Sequence, residues 1–326
     1  MGDIKFKDLK IVFIGAVDEG LQCLRELLAL GCHVQAVFTF NDEMAAKTSG
    51  AASFDEVTAR SNIPLYKIQT ANSPDVIEKI RELQPDAIFV LGWTRLVSKE
   101  ILAIPKHGCF GMHASLLPKY RGRAPVNWVI INGERQTGNS TMLLDEGTDT
   151  GKVVTQREIR ISMADTCKTL YGKVALAGRD MIREILPKLA SNALVALPQD
   201  ENLATVMPKR TPDDGVIDWN KSALQLFNWV RALTHPYPGA FTKFRGRKLL
   251  IWEARIGHFT SNNEHIETAD LTPGTVVSVS DGIVVSTGGN ELLSLHRLNY
   301  DLDDEREWRA FLAESPLQPG DRLTAD

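Results

Sequence analysis

The chain is expected to fold as an α/β domain built on a parallel sheet, followed by a smaller β-rich domain. Three observations predict this. Short apolar, β-branched runs alternate with amphipathic helical stretches through the first half, the pattern of strands buried on both faces and joined by helices. Past residue 240 the pattern changes to short β-rich segments separated by turn residues. With 326 residues, the chain is long enough for two domains or one large one.

The elements follow in order. Residues 9–14 (LKIVFI) read as a buried strand ended by Gly15. Residues 19–30 read as a helix with Leu21, Leu24, Leu27 and Leu28 on one face. A second strand is expected at 34–39, and a helix at 53–61 after a polar loop. Residues 74–83 form another helix, with Pro74 in its first turn. Residues 86–91 (DAIFVL) are a third strand, 98–103 a short helix, and 109–113 a fourth strand. Residues 164–189 read as helical, and a linker runs from Pro198-Gln199-Asp200 to Pro208. Strands are expected at 242–244, 248–253, 274–280, 282–286 and 292–298, with Asp281-Gly282 as a hairpin signal. The acidic residues 301–326 read as peripheral. Two domains result, 1–205 and 206–326, the second with a leading helix and an acidic tail.

Composition narrows the function. Hydrophobic content of 43% and charged content of 24% are those of a globular protein. No stretch approaches the length of a membrane span, and the first residues lack a signal peptide's apolar region. The chain is therefore expected to be cytoplasmic. Net charge is −4, and residues 203–326 carry 13 Lys and Arg against 17 Asp and Glu, also −4. That weighs against a nucleic-acid partner, although Arg245-Gly246-Arg247-Lys248 is a local basic patch. Cys23, Cys32, Cys109 and Cys167 form neither a CxxC pair nor a metal-ligand spacing. They read as thiols in a reducing compartment, and no metal is expected. Residues 15–20 (GAVDEG) follow a strand but lack both the dinucleotide glycine spacing and a Walker lysine. They read as a strand-to-helix turn.

The most informative stretch is 111–154. His113 ends an apolar run and is followed by a Ser115-Leu116-Leu117-Pro118 turn and the basic segment Lys119-Tyr120-Arg121-Gly122-Arg123. An acidic loop comes later, Asp145-Glu146-Gly147-Thr148-Asp149-Thr150-Gly151. Strand ends in open parallel sheets face the ligand crevice. A histidine there and an aspartate in a Gly-bounded loop make an acid–base pair if the fold joins them. The plainer alternatives are a core histidine and a loop aspartate that bonds its own backbone.

This stretch resembles the folate-dependent formyltransferases. That family includes methionyl-tRNA formyltransferase, glycinamide ribonucleotide formyltransferase, the lipid A aminoarabinose formyltransferase domain and sugar N-formyltransferases. His113, Ser115-Leu116-Leu117-Pro118, Arg121-Gly122 and Asp149-Thr150-Gly151 match its pattern. The form Arg121-Gly122-Arg123-Ala124-Pro125-Val126-Asn127-Trp128 is closer to the sugar-modifying members. The likeness continues through 210–219 and 235–241. Gly111 stands where the family has an asparagine that helps hold the oxyanion.

The resemblance implies a Rossmann-like formyltransferase domain followed by an OB-like β-barrel. It implies transfer of a formyl group from 10-formyltetrahydrofolate, as co-substrate, to a primary amine. An amino sugar on a nucleotide is the expected acceptor. The alternatives are methionyl-tRNA formylation and a folate-binding relative with weakened catalysis. His113 and Asp149 would carry acid–base catalysis. Leu91, Gly92, Trp93 and Leu96, with Asp145 and Gly147, would border the folate, although Trp93 equally suits core packing. Ser115, Arg121 and Arg123 would border the acceptor, with Arg231 a further candidate. His235 reads as structural. Three readings of Gly111 stand open: a backbone amide or Asn127 replaces the missing donor, the subgroup works without it, or catalysis is weakened. The β-domain offers a surface for a homodimer.

Overall fold

The computed structural model describes residues 8–257, 259–261, 264–265, 271–301 and 303–325. It contains two compact units. One holds the chain up to Pro125 together with Gln136–Ile161 and Leu170–Pro208, and the other holds Val126–Arg135, Ser162–Thr169 and the chain from Lys209 onward. The expected boundary at 205/206 lies close to the last of these divisions, but two short earlier segments also cluster with the second unit.

The first unit is built on a seven-stranded sheet. Its strands are β1 (Lys10–Ile14), β2 (His33–Phe40), β3 (Leu65–Ile68), β4 (Ala87–Val90), β5 (Cys109–His113), β7 (Gln136–Leu143) and β8 (Val153–Arg160), in the order β3-β2-β1-β4-β5-β7-β8. The five strands β1 to β5 pair in parallel, while β7 and β8 are antiparallel. The sheet is therefore mixed rather than purely parallel. Residues 136–160 alternate weakly and carry Gln, Asn, Ser and Thr, so they gave no strand signal. The small β3 is half-buried at the sheet edge and is also illegible in the pattern.

Helices α1 (Asp18–Ala29), α2 (Asp42–Ala46), α3 (Asp55–Arg60), α4 (Pro74–Leu83) and α5 (Lys99–Leu102) connect the parallel strands, α6 (Pro125–Ile131) lies almost wholly in a segment of the second unit, and α7 (Cys167–Ala190) follows β8. The polar loop after β2 contains α2, started by Asn41, whose side chain accepts the Met44 N–H at 3.0 Å. One face of the sheet packs Phe13, Phe89 and Phe110 with Leu24 and Leu27 of α1 and Ile182 and Leu186 of α7. The other face packs Val12, Ile14 and Ile88 with Val76 and Ile80 of α4 and Ile101 of α5. The central strands are apolar on both faces because both faces are covered.

The strand order reverses between β1 and β4, which sets a crevice at their C-terminal ends. The chain closes tightly there. A Cβ at Gly20 would lie 2.2 Å from the Leu91 carbonyl oxygen, and one at Gly15 would lie 2.6 Å from it. The Ala16 and Val17 N–H groups donate to the Gly92 carbonyl at 3.0 and 3.2 Å. These turn amides are thus spent on the protein itself.

A second unit forms around an antiparallel sheet. Its path is β10 (Ala240–Phe244), β11 (Arg247–Ile256), β16 (Glu291–Tyr300), β15 (Ile283–Thr287) and β14 (Val276–Ser278), with β17 (Arg306–Glu307) beside β16. A small hairpin pairs β12 (Thr260–Ser261) with β13 (Glu264–His265). Helix α8 (Ala223–Leu233) starts with a capping box between Ser222 and Gln225, and α9 (Trp308–Glu314) follows the last strand.

The acidic tail is not peripheral, contrary to expectation. Leu317 and Leu323 are buried. The Val276 N–H donates to Asp321 O, the Leu323 N–H donates to Gly274 O, and Lys243 and Thr324 exchange bonds of 2.8 and 3.0 Å. The segment thereby joins the β14 end of the sheet to β10 and closes it into a barrel. Sequence charge conceals this because these are main-chain bonds.

The two short segments join the second unit through α8. Asn127 donates Nδ2–H to Ala232 O at 2.6 Å. Arg231 donates to Ser162 O and Asp165 O at 2.9 and 2.7 Å, and the Cys167 thiol donates to Thr234 O at 3.0 Å. Arg231, buried and committed to these carbonyls, is a structural cross-link rather than an acceptor ligand.

Helices α1 and α7 are tied by a buried carboxylate. Glu26, 3% exposed, accepts Arg183 Nε–H at 2.7 Å and Arg179 Nε–H at 3.1 Å. These arginines hold the Glu26 carboxyl below its ordinary range, with burial opposing them. A carboxyl lowered on folding stabilises the native state above its unfolded pKa and loses that contribution as pH falls through the folded value. Glu26→Gln is expected to cost about 1–3 kcal/mol at pH 7. In urea unfolding, its gap from wild type should shrink as pH falls from the unfolded pKa through the lowered folded one.

Candidate active site

His113 is the last residue of β5, and its ring is buried. Its Nε2 lies 2.6 Å from the Tyr120 carbonyl oxygen. A carbonyl only accepts, so Nε2 carries the proton. Nδ1 faces Asp149 Oδ2 at 3.4 Å. A protonated Nδ1 turns that approach into an ion pair, whereas a bare nitrogen would face a carboxylate lone pair.

Asp149 serves both loops of the site. Its Oδ2 also accepts the Gly122 N–H at 2.8 Å. Its backbone sits at φ 57°, in the left-handed region. Eight non-glycine residues have positive φ among the described residues, and three of them, Tyr120, Ala124 and Asp149, belong to these two loops. Such backbone is held only when its surroundings over-determine it.

The SLLP turn is held internally. The Ser115 hydroxyl donates to Lys119 O at 2.6 Å, while Ser140 Oγ donates to Ser115 O at 2.6 Å and accepts the Leu117 N–H at 3.1 Å. Ser115, fully buried, braces the turn instead of meeting an acceptor. Arg121 is also buried. It donates to both Glu201 oxygens at 2.8 and 2.7 Å and twice to Gln199 Oε1 at 3.1 and 2.8 Å. That guanidinium is occupied, so the expected acceptor contact at Arg121 gives way to a structural one. Lys119 and Arg123 remain exposed. Residues 198–208, read as a plain linker, pair with the loop as β9 (Val206–Met207) alongside β6 (Arg121–Gly122).

The two residues considered for oxyanion support are both packed into their surroundings. Gly111 is paired on both sides, with Val90 and with Met142. A Cβ there would lie 2.5 Å from Leu144 Cδ2, so leucine fills the space a side chain would need. Asn127 belongs to the second unit, and its Nδ2 is donated to Ala232 O.

At the end of β4, Leu91 is fully buried and Gly92 has φ 63°. Trp93 packs on Phe40 with ring centroids 4.2 Å apart. Its Nε1 is buried without a hydrogen-bond partner, an orphaned donor of the kind a bound heterocycle satisfies. The Leu96 side chain is 58% exposed. Asp145 shapes its own loop by accepting the Gly147 N–H at 3.0 Å and the Thr150 hydroxyl at 2.7 Å. A Cβ at Gly147 would lie 2.0 Å from that hydroxyl.

Among the described residues no group of three or more His, Cys, Asp and Glu side chains could hold a metal ion. Among the described residues no helix is long and apolar enough to cross a membrane. The four cysteines are buried and free. Burial pushes the Cys32, Cys109 and Cys167 thiols up to about 12, leaving them protonated and unreactive.

Comparison with known proteins decides the family. The formyl transferase pattern matches residues 9–186, and the formyl transferase C-terminal domain pattern matches residues 209–315. The chain belongs to the formyltransferase family. Methionyl-tRNA formyltransferases of Alkaliphilus oremlandii and Ruminiclostridium cellulolyticum are 33% and 35% identical to it over 318 residues. Each alignment spans 97% of this chain and 99% of the relative. Among solved structures, the N-formyltransferase of Helicobacter canadensis, in complex with folinic acid and dTDP-3-aminofucose, superposes with a TM-score of 0.66. It is 17% identical, covering 88% of this chain and 100% of that one, and at that identity the likeness shows the fold alone.

The tight contact between Gly111 and Leu144 is testable. Gly111→Ala is expected to cost about 1–3 kcal/mol by overpacking. In a Leu144→Ala background the same substitution should cost less than about 1 kcal/mol, read from urea midpoints as a double-mutant cycle.

Proposed function

We propose that this formyltransferase moves a formyl group from 10-formyltetrahydrofolate to the primary amine of a small anionic acceptor, an amino sugar on a nucleotide. The observation that carries the reading is the His113–Asp149 pair, a buried imidazole against a loop carboxylate at a strand end. In the reaction, the amine nitrogen forms a bond to the formyl carbon and the bond from that carbon to the folate N10 breaks. One proton leaves the attacking amine, and one reaches the departing nitrogen. His113 moves that proton once its Nε2–H leaves the Tyr120 carbonyl, and Asp149 holds its Nδ1 side and stabilises the imidazolium that forms. The imidazolium that forms at His113 is also a positive group for the oxyanion. The segment from Leu91 to Leu96 borders the pterin, with Trp93 Nε1 as an unspent donor. Arg123 and Lys119, exposed beside the site, meet the acceptor's phosphate.

A second reading, methionyl-tRNA formylation, is favoured by the 33–35% identity to proteins of that name along nearly the whole chain. The charge of the second unit speaks for the small acceptor. Arg245 pairs with Asp321 and Arg247 with Asp303, each at 3.4 Å. Arg255 pairs with Glu253 at 2.9 Å, Arg297 with Glu305 at 2.5 Å, and Arg306 with Glu314. Arg245 and Arg247 of the basic hairpin thus stand beside carboxylates, whereas nucleic-acid binding draws on cations available to phosphates.

His113→Ala is expected to lower kcat/KM by about 10²- to 10⁴-fold while folate binding survives. An unchanged rate would remove His113 from catalysis. Assays with 10-formyltetrahydrofolate, nucleotide-linked amino sugars and charged initiator tRNA decide the acceptor. Release of tetrahydrofolate with a sugar nucleotide, and none with tRNA, is the expected result. Turnover with tRNA alone, falling steeply as salt rises, would establish the second reading.

A further inference from the structure

We propose that Gln199 is the positioning residue of the Asp149–His113 pair, and that Arg121 serves this clamp. The kinetic part of the argument rests on the formyl-transfer reading, but the structural part does not. The Gln199 amide is saturated. Its Oε1 accepts Arg121 Nε–H and Nη2–H at 3.1 and 2.8 Å. Its Nε2 donates to Asp149 O at 2.8 Å and to Gly151 O at 2.7 Å. Two acceptor sites and two N–H groups are all that a carboxamide has. Glu201 takes the remaining face of the buried Arg121, so the guanidinium cannot turn away from Gln199.

The clamp acts where the backbone most needs it. Asp149 has left-handed φ, which a residue with a Cβ adopts at a cost. Gln199 binds its carbonyl and that of Gly151, fixing the turn from both sides. The carboxylate is then aimed at His113 Nδ1 and the Gly122 N–H. The same segment holds the opposite loop. The Tyr120 N–H donates to Thr205 Oγ1 at 2.8 Å. The Arg121 N–H donates to Thr205 O at 2.8 Å, and the Arg123 N–H donates to Met207 O at 3.3 Å. The carbonyl that receives His113 Nε2–H belongs to Tyr120. Residues 199–207 therefore set the positions of both groups that flank the imidazole.

The chemistry at position 199 is narrow. A carboxylate there keeps the Arg121 contact but turns lone pairs toward two carbonyls. A thioether keeps the volume and loses all four bonds. A misplacement of about 1 Å in a catalytic group costs on the order of 100-fold in rate.

The test uses Gln199→Met, Gln199→Glu, Asp149→Asn and the Gln199→Met/Asp149→Asn double variant in the full chain, with unfolding midpoints confirming that each folds. Gln199→Glu, which keeps the contact to Arg121, serves if Gln199→Met does not fold. In the protein without substrate, NMR should show the Gly122 amide exchanging about tenfold faster and the His113 ring-nitrogen shifts altered in both Gln199 variants. With the donor and an acceptor, kcat should fall about 10- to 100-fold and KM for the donor should change little. The double variant should be no slower than about threefold below Asp149→Asn alone, because both act through one carboxylate. Multiplying effects in the double variant would overturn the proposal. So would a Gln199→Glu variant indistinguishable from wild type, or Gly122 and His113 signals untouched by either substitution. If wild type turns over no acceptor, the formyl-transfer reading fails, and the Gly122 and His113 signals still decide the positioning role.

Discussion

The site depends on one carboxylate that faces two loops at once. Asp149 Oδ2 accepts the Gly122 N–H and stands opposite His113 Nδ1, from a backbone held at positive φ. Releasing it would leave the imidazole with its Tyr120 contact alone, because Gln199 and Thr205 hold the two loops but do not touch the ring. The protein builds around this atom in layers. Antiparallel β7 joins the His113 strand to the acidic loop, because Leu143 N–H donates to Lys152 O and turns the chain back there. Strands β7 and β8 pair antiparallel beside the five parallel strands, and the loop between them carries Asp149 to His113.

Polar groups near the site are spent with little to spare. Ser115 braces the SLLP turn, Asp145 braces its own loop, and Arg121 is shared between Glu201 and Gln199. Buried polar atoms are costly unless bonded, so a segment rich in chemically suggestive side chains tends to use them on itself. That leaves the buried His113 beside the half-buried Asp149 carboxylate, and Lys119 and Arg123 exposed. The second unit shows the same economy of charge. Its arginines pair with its carboxylates across strands, and the acidic tail lies in the sheet by main-chain bonds rather than by charge.

Much of this was legible in the sequence where periodicity is strong. The strands at residues 10–14, 87–90 and 109–113 and helices α1 and α4 stand within a residue or two of their expected places, since apolar runs and amphipathic faces report burial directly. Strands β7 and β8 were not legible, because their residues are polar and their pairing partners are set by the fold. Helix α2 was too short to leave a period. The tail read as solvated because it is acidic, yet its closing role is carried by backbone groups common to every residue.

The sequence by itself determined the α/β framework, the change to β structure past residue 240, and the nearness in sequence of His113 to its SLLP turn. It also carried the resemblance to the formyltransferases through motif residues that need no partner to be recognised. Only the tertiary structure decided which polar residues are occupied. Gln199 and Asp149 lie 50 positions apart in the chain and touch through an amide and a carbonyl. Leu144 fills the space beside Gly111 from the neighbouring strand's end. A hydrogen bond is a matter of distance and direction between two atoms. A sequence fixes which atoms exist, while the packing of distant segments fixes which of them meet.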